Sequence, residues 1–377
     1  MEITEVEPIV LESAVGTVSL PGGKADFDAT VRPVLVRVHT DAGLVGLGES
    51  YLDDPTGEKA EFVAKGVDAL ANHLVGEDPH DVRELWHEMY VHTKRSGSYR
   101  SLSAIDEALW DLKGKEAGLP VYQLLGGAAG DVSAYATFPH RKPADELVEA
   151  GEWLAEKGFE TMKIVVGADV DDDIERIRTV AEGIPDELGL AMDANTTFDF
   201  PDALALAEVA SEVGMEWFEE PIAHTDVDGM AELNRRTSVS ISAYQNNVTQ
   251  YPATELLEKN AIEIYQPAFD YVGGITPASD VATLCEAHGK RFVPHAFGPV
   301  VNYAASLHVA AAHSSCSLIE FAVYAEDIDD PGRYVASPYI ENQEDIYVQD
   351  GGLIEPPETP GLGLDVDEDA LEEYRAN

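Results

Sequence analysis

From Asp131 to Phe321 the sequence alternates short apolar runs with amphipathic stretches. The apolar runs are Val132–Phe138, Thr161–Val166, Gly189–Asp193, Glu216–Glu219, Val239–Ala243, Ile262–Gln266, Arg291–His295 and Ser317–Phe321. Between them lie stretches with helical periodicity, for example Ala144–Glu156, Asp172–Ala181, Pro201–Val213 and Pro277–His288. A parallel strand cannot follow its neighbour through a tight turn, so a helical crossover returns the chain each time. Repeated strand and helix units over roughly 200 residues therefore predict a closed parallel barrel.

The chain before this repeat reads differently. Val31–His39, the turn Asp41-Ala42-Gly43 and Leu44–Glu49 predict a hairpin. Helical periodicity begins near Gly57, recurs over Pro79–Tyr90, and opens a third helix at Ser103, read as its N-cap, with Gly118 and Pro120 ending it. After Asp330 the sequence is rich in Gly, Pro and acid. The expected organisation is α/β: an α+β capping domain over residues 1–128, a (β/α)7β-type TIM barrel over 129–329, and a C-terminal segment, 330–377, that packs back on the capping domain.

Charge bounds the partners. The 377 residues carry 71 Asp and Glu against 24 Lys and Arg, a formal net charge of -47. Such a surface repels nucleic acid, which is bound through clustered cations, and it repels anionic membranes. The 45% hydrophobic content is too high for an acidic disordered chain. Self-repulsion of this size is tolerable where salt screens it, because at 1 M salt the screening length is about 3 Å. The composition predicts a protein of a salt-rich cytoplasm, as in a halophilic archaeon. Met1–Pro8 lacks the basic and apolar regions of a secretory signal, and Cys285 and Cys316 make no disulfide framework, in keeping with a reducing interior. Phe292–Ile319 contains no Asp, Glu, Lys or Arg, but Pro294, His295, Pro299, Asn302, His308 and His313 interrupt it. It reads as strand, loop and core helix, and no membrane span is expected.

Chemistry in such a barrel sits at the C-terminal ends of the strands. The polar residues there are Lys163, Asp193 followed by Asn195, Glu219 with Glu220, His295, and Glu320. Carboxylates converging from successive strands point to a hard divalent cation such as Mg²⁺. A lysine and a histidine beside it are placed for proton transfer.

Ser103-Ala104-Ile105-Asp106-Glu107-Ala108-Leu109-Trp110-Asp111-Leu112, with Gly114-Lys115, Gly118-Leu119-Pro120 and Leu124-Leu125-Gly126-Gly127, resembles the signature helix of the enolase superfamily in its mandelate racemase and muconate lactonising branch. Met192-Asp193-Ala194-Asn195, Trp217-Phe218-Glu219-Glu220-Pro221, Gly273-Gly274-Ile275-Thr276, Pro294-His295 and Pro360-Gly361-Leu362-Gly363 follow in family order. The resemblance implies a Mg²⁺-bound hydroxy acid or acid sugar that loses its α-proton to give an enediolate. Among acid sugars the common outcome is dehydration to a 2-keto-3-deoxy acid. It also implies catalytic roles for Lys163 and His295, metal ligands at Asp193 and Glu219, a substrate contact at Asn195, an eighth-strand acid at Glu320 that donates to the substrate carboxylate when protonated, and a homo-oligomer. Gly16–Ala29, carrying Lys24, resembles the family's mobile loop, and His140 and Arg141 follow the first barrel strand where hydroxyls or a second carboxylate bind.

Three positions depart from the pattern. Val165 stands where a second lysine is usual, Gln245 where the third metal-binding acid is expected, and Ala268 where an Asp orients the histidine. With an amide at Gln245 the metal site has two carboxylates rather than three, and His295 lacks its usual partner unless Asp270 reaches it. Racemisation, which needs acid/base groups on both faces, is disfavoured. The alternative to a lyase or isomerase is a diverged barrel that binds or senses an acid without proton chemistry.

Other motifs fail on spacing. His92 follows His87-Glu88 by one residue too many for a zinc-protease helix, and Ile174 takes the place of the glycine that a calcium loop over Asp169–Asp173 needs. The run Asp365–Glu373 reads as a solvated end.

Overall fold

The expected hairpin is the outer two-thirds of a three-stranded antiparallel sheet. In the computed structural model, which describes residues 1–19, 26–50, 58–128, 130–323, 337–349 and 351–376, the first strands are β1 (Ile3–Val10), β2 (Ser13–Ser19), β3 (Asp26–Val31), β4 (Val34–Thr40) and β5 (Val45–Ser50). The order β1-β4-β5 makes β4 the centre, and its Val34, Leu35, Val36 and Val38 are fully buried. β2 and β3 form a separate antiparallel pair. Lys24 and the rest of the 20–25 tip lie outside the described residues.

Two helices cover the sheet, α1 (Glu58–Ala71) and α3 (Tyr99–Ala117), and α2 (Val82–Ser96) packs on α3. The expectation of an N-cap at Ser103 is corrected. Gly97, at φ +80°, ends α2, and α3 starts at once after Ser98, because no breaker separates Ser98 from Ser103. Ser103 is one turn inside, fully buried, and its hydroxyl donates to the Phe269 carbonyl at 2.6 Å. Gly118, in the left-handed conformation, ends α3 as expected.

The strand and helix repeat closes as a barrel. Its parallel strands are β6 (Val132–Thr137), β7 (Thr161–Val165), β8 (Gly189–Asp193), β9 (Trp217–Glu219), β10 (Ser240–Ala243), β11 (Ile264–Tyr265), β12 (Arg291–Phe292) and β13 (Leu318–Ala322), hydrogen-bonded in the order β12-β11-β10-β9-β8-β7-β6-β13. The Phe292 amide, donating to Ser315 at 2.9 Å, joins the two ends. Inside, Tyr135, Ala191, Trp217, Ile264 and Val293 form an apolar plug drawn from five strands. Two residues further along the chain from each come Thr137, Asp193, Glu219, Gln266 and His295, the last two just past β11 and β12. Strand alternation keeps i and i+2 on one face, so a polar layer rests on the plug. The apolar run before Ile319 is a short strand, a loop and the buried helix Val300–Ala312. Among the described residues no helix is long and apolar enough to cross a membrane.

The end of the chain touches both parts. β14 (Leu353–Ile354) pairs antiparallel with β6. Further on, Glu368 meets Arg37 at 2.8 Å, and Glu12 and Val10 bond to Tyr374 and Ala376 at 2.8 and 2.9 Å.

Buried carboxylates lock α3 to its surroundings. Asp106 accepts from the Thr276 amide and hydroxyl, 2.8 and 2.7 Å, at the start of the helix Ile275–Ala287. Glu49 of β5 accepts from the Val301 amide at 3.0 Å, at the start of Val300–Ala312, and from Tyr339. Glu107 accepts from the Glu49 amide and from Asn302, and Asp111 from the Leu47 and Leu362 amides, both at 2.8 Å. Helix N-termini favour negative charge, and buried carboxylates need such donors. Burial nonetheless raises Glu49 and Asp106, each to about 7, and Glu107 well above the carboxylate range.

Two outcomes are expected. A Cβ on Gly48 would meet the Ala104 carbonyl oxygen at 1.8 Å, and backbone cannot swing aside. Gly48→Ala is expected to cost about 3 kcal/mol or more, at the top of the range for overpacking, in urea unfolding at molar KCl. A raised carboxyl pKa stabilises the fold fully below the unfolded value, 4.5 for Glu49, and that contribution is lost as pH rises through about 7. Glu49→Gln should therefore flatten the fall in unfolding free energy between these pH values; an unchanged slope would contradict the assignment.

Candidate active site

The parallel register brings the strand-end residues level. Val165 pairs with Asp193, Asp193 with Glu219, and Glu219 with Ser242. Paired residues of parallel neighbours share a face, so both carboxylates enter the barrel mouth. Lys163, two residues before Val165, is 2% exposed and lies among them. Its Nζ is 2.7 Å from Glu219 Oε2, 2.9 Å from Glu320 Oε1 and 3.9 Å from Asp193 Oδ2, and 5.5 Å over the Tyr135 ring. Burial alone would lower its pKa, but Glu219 and Glu320 outweigh it and hold the ammonium well above the usual lysine range.

The carboxylates divide in two ways. Burial, then the Glu219 charge, pushes Asp193 well above the usual range. Burial also disfavours a charged Glu320, yet Lys163, with His295 and the Thr137 hydroxyl at 2.8 Å, pulls it down to about 2. Here Glu320 accepts rather than donates, unlike the protonated donor that the resemblance implies. The physical reason is the lysine in contact with it.

His295 lies at the open side, 22% exposed, with Nε2 3.8 Å from Glu320 Oε2. Ala268 bridges to it in the backbone and offers no side-chain acceptor, and its Nδ1 is buried with no hydrogen-bond partner among the described residues. Asp270 does not reach it. That carboxylate is paired with Arg100, whose guanidinium also stacks 4.1 Å over Tyr271.

Asn195 is exposed just past β8, and its amide donates to Asp193 Oδ1 at 2.8 Å, fixing that carboxylate. Gln245 is half-buried, two residues beyond β10, and its carbonyl accepts from the Ala268 amide at 3.1 Å. His140 is half-buried after β6. Arg141 turns instead to Asp172 and Asp173, which sit at the start of the helix Val170–Gly183. Asp169 caps that helix by accepting from the Asp171 and Asp172 amides, so the acidic run is a capping turn.

Four buried polar residues went unnoticed in the sequence: Tyr135, Trp217, Ser242 and Gln266. Gln266 Nε2 lies 3.4 Å from the Tyr135 hydroxyl, and Trp217 Nε1, Ser242 Oγ and Gln266 Oε1 have no partner among the described residues. Strand alternation was the available signal, since Trp217 precedes Glu219 by two and Gln266 follows the inward Ile264 by two.

The donors fit a hard cation. Glu219 is fully buried, and its Oε1 has no hydrogen-bond partner among the described residues. With Asp193 beside it, the set is all oxygen, and Mg²⁺ needs only one or two protein carboxylates beside water and substrate. Among the described residues no three His, Cys, Asp or Glu side chains are grouped to hold a metal.

Fold and site together define a barrel enzyme class in which a capped mouth holds acids beside a lysine and a histidine. Residues 145–370 match the enolase C-terminal domain-like family, and residues 27–126 match the mandelate racemase / muconate lactonizing enzyme N-terminal domain. The chain belongs to the enolase superfamily, in the mandelate racemase / muconate lactonizing enzyme branch. It is similar to D-galactarolactone cycloisomerase of Agrobacterium fabrum, 32% identical and covering 100% of this chain and 99% of that protein. It is 30% identical to arabinonate dehydratase of Saccharolobus solfataricus, over 91% of this chain and 90% of that protein. L-Talarate dehydratase from Polaromonas sp. JS666, solved with Mg and L-glucarate, superposes with a TM-score of 0.85 at 26% identity, covering 100% and 98% of the two chains. The chain is thus an enzyme of a family whose cofactor is Mg²⁺.

Lys163→Met would leave the buried carboxylates of Glu219 and Glu320 without their shared cation. The metal-free variant, unfolded by urea in the presence of a chelator, is expected to be less stable by about 3–5 kcal/mol. An unchanged midpoint would show that the lysine is not what holds the cluster together.

Proposed function

We propose that the enzyme dehydrates an acid sugar, removing the proton next to the carboxylate and releasing the neighbouring hydroxyl as water, to give a 2-keto-3-deoxy acid. The observation that carries this reading is the register-matched pair Asp193 and Glu219 beside Lys163, with a Glu219 oxygen unpartnered among the described residues and the accessible His295 near Glu320. The two dehydratases named above add support.

In this reading Asp193, Glu219 and Gln245 hold the ion. Mg²⁺, when bound, supplies Lewis-acid stabilisation of the negative charge that develops on the substrate carboxylate. Lys163, already committed to carboxylates, contributes positive charge rather than a base. His295 Nε2 takes the α-proton and returns it to the departing hydroxyl. Val165 offers no second acid/base group on the lysine side, so one histidine serving one face suits elimination better than racemisation. Asn195, His140, Lys24 and Glu320 are the side chains assigned to substrate contact. Residues 1–128 act as the cap, 129–329 as the barrel and 330–377 as the returning segment. The charge excess supports a salt-rich, halophilic archaeal cytoplasm, and the homo-oligomer is what the family resemblance implies.

A panel of acid sugars incubated with Mg²⁺ in D2O and molar KCl tests the reading. Solvent deuterium should enter at the α-carbon of the product and a 2-keto acid should accumulate. Chelation should abolish both, and His295→Asn should lower the rate by about 10²–10⁴-fold. No exchange and no keto acid across the panel would sink it. A second reading, isomerisation of a cyclic acid, is favoured by the full-length similarity to the cycloisomerase. It predicts turnover of lactones or anhydro acids without loss of water.

A further inference from the structure

The backbone of His295 is tied to the turn that follows β11. Its amide donates to the Pro267 carbonyl at 3.2 Å, and Ala268, just before the short helix Phe269–Val272, bridges to it. The same turn reaches the loop on its other side, because the Ala268 amide donates to the Gln245 carbonyl and the Thr249 amide donates to the Val272 carbonyl, both at 3.1 Å. A methyl group at 268 orients no imidazole, and His295 Nδ1 has no hydrogen-bond partner among the described residues. Where the ring stands therefore depends on where this turn stands.

Side chains of the cap hold the turn. Ser103 Oγ donates to the Phe269 carbonyl at 2.6 Å, and Trp86 Nε1 donates to the Gly273 carbonyl at 2.8 Å. Those two reach main chain, so they do not depend on which side chains the turn carries. The third tie does: Arg100 of α3 pairs with Asp270 and stacks 4.1 Å over the ring of Tyr271. Asp270 is 8% exposed, so the pair is little screened by salt. A planar guanidinium with a carboxylate at its edge and an aromatic ring on its face has one orientation, which the point charge of a lysine does not impose.

We infer that Arg100 and Asp270 are positioning residues: their pair clamps the cap to the turn after β11, and through that turn the docking of the cap sets where His295 stands. The clamp takes over, by way of the backbone, the orienting task for which position 268 offers no side chain. The inference rests on the proposed assignment of His295 as the base.

The first two measurements need neither metal nor substrate. In hydrogen exchange of the metal-free protein, Arg100→Ala and Asp270→Asn should each speed exchange of the Ala268 and His295 amides at least about tenfold, while the interior of α3 keeps its protection. The double variant should be no faster than either single one, since both break the same pair. In NMR, the His295 Cε1–H resonance, identified by its loss in His295→Asn, should broaden or split in both single variants. Should Arg100→Ala not fold, Arg100→Lys, which keeps the charge and loses the stacked plane, should show both effects in smaller measure. With a substrate from the acid-sugar panel, kcat should fall by about 10–100-fold with KM nearly unchanged, as misplacement of a reacting group predicts. Unchanged exchange at 268 and 295, or a His295 resonance unmoved while the turn loosens, overturns the inference. If no acid sugar turns over in the wild type yet both metal-free readouts change, the catalytic reading fails and the clamp stands.

Discussion

The arrangement depends on buried carboxylates that accept from backbone amides across α3. Asp106, Glu107 and Asp111 lie on one helix and bond to a barrel helix, to β5 and to the returning segment. Among the described residues none pairs with an arginine. The donors other than backbone amides are the Thr276 hydroxyl on Asp106, the Asn302 side chain on Glu107, and Lys115, 2.6 Å from Asp111. Backbone donors cannot rotate away as a surface lysine can, so these bonds specify position as well as satisfy charge. The cap is thereby registered on the barrel, and the mouth lies beneath it.

Acid is distributed unevenly in the molecule. The exterior carries a large negative excess, yet in the mouth a single buried lysine is shared by Glu219 and Glu320 and lies near Asp193. Removing either side of that cluster leaves charge stranded in a low-dielectric space. The same competition explains why Asp193 and Glu320 shift in opposite directions. Glu320 touches the lysine, whereas Asp193 lies 3.9 Å from it and feels Glu219.

Much of this was legible in the sequence. Each barrel strand lies within or beside its apolar run, because a strand buried on both faces must be continuously apolar, and Asp193, Glu219, Lys163 and His295 do share one mouth. The start of α3 was misplaced, since Ser98 and Ser103 are equally good caps by residue type and only the left-handed Gly97 decides between them. The fate of Asp270 was not legible, because Arg100 is 170 residues away in sequence. Nor was the ionised state of Glu320, which depends on where Lys163 ends. Side-chain direction follows from strand alternation, but partners across the barrel follow from closure, and periodicity carries no information on that.

The returning segment has a consequence for how the chain is made. Strand β1 is continued by Leu11, which bridges to Arg375, while β6 receives β14. Both are contacts between early and very late residues. A chain emerging from the ribosome N-terminus first holds most of its cap long before it holds residues 353–376, so these two pairings form only once those residues have emerged. Closing so long a loop is slow relative to local helix formation. These pairings are therefore made late, and residues 353–376 act as the latch.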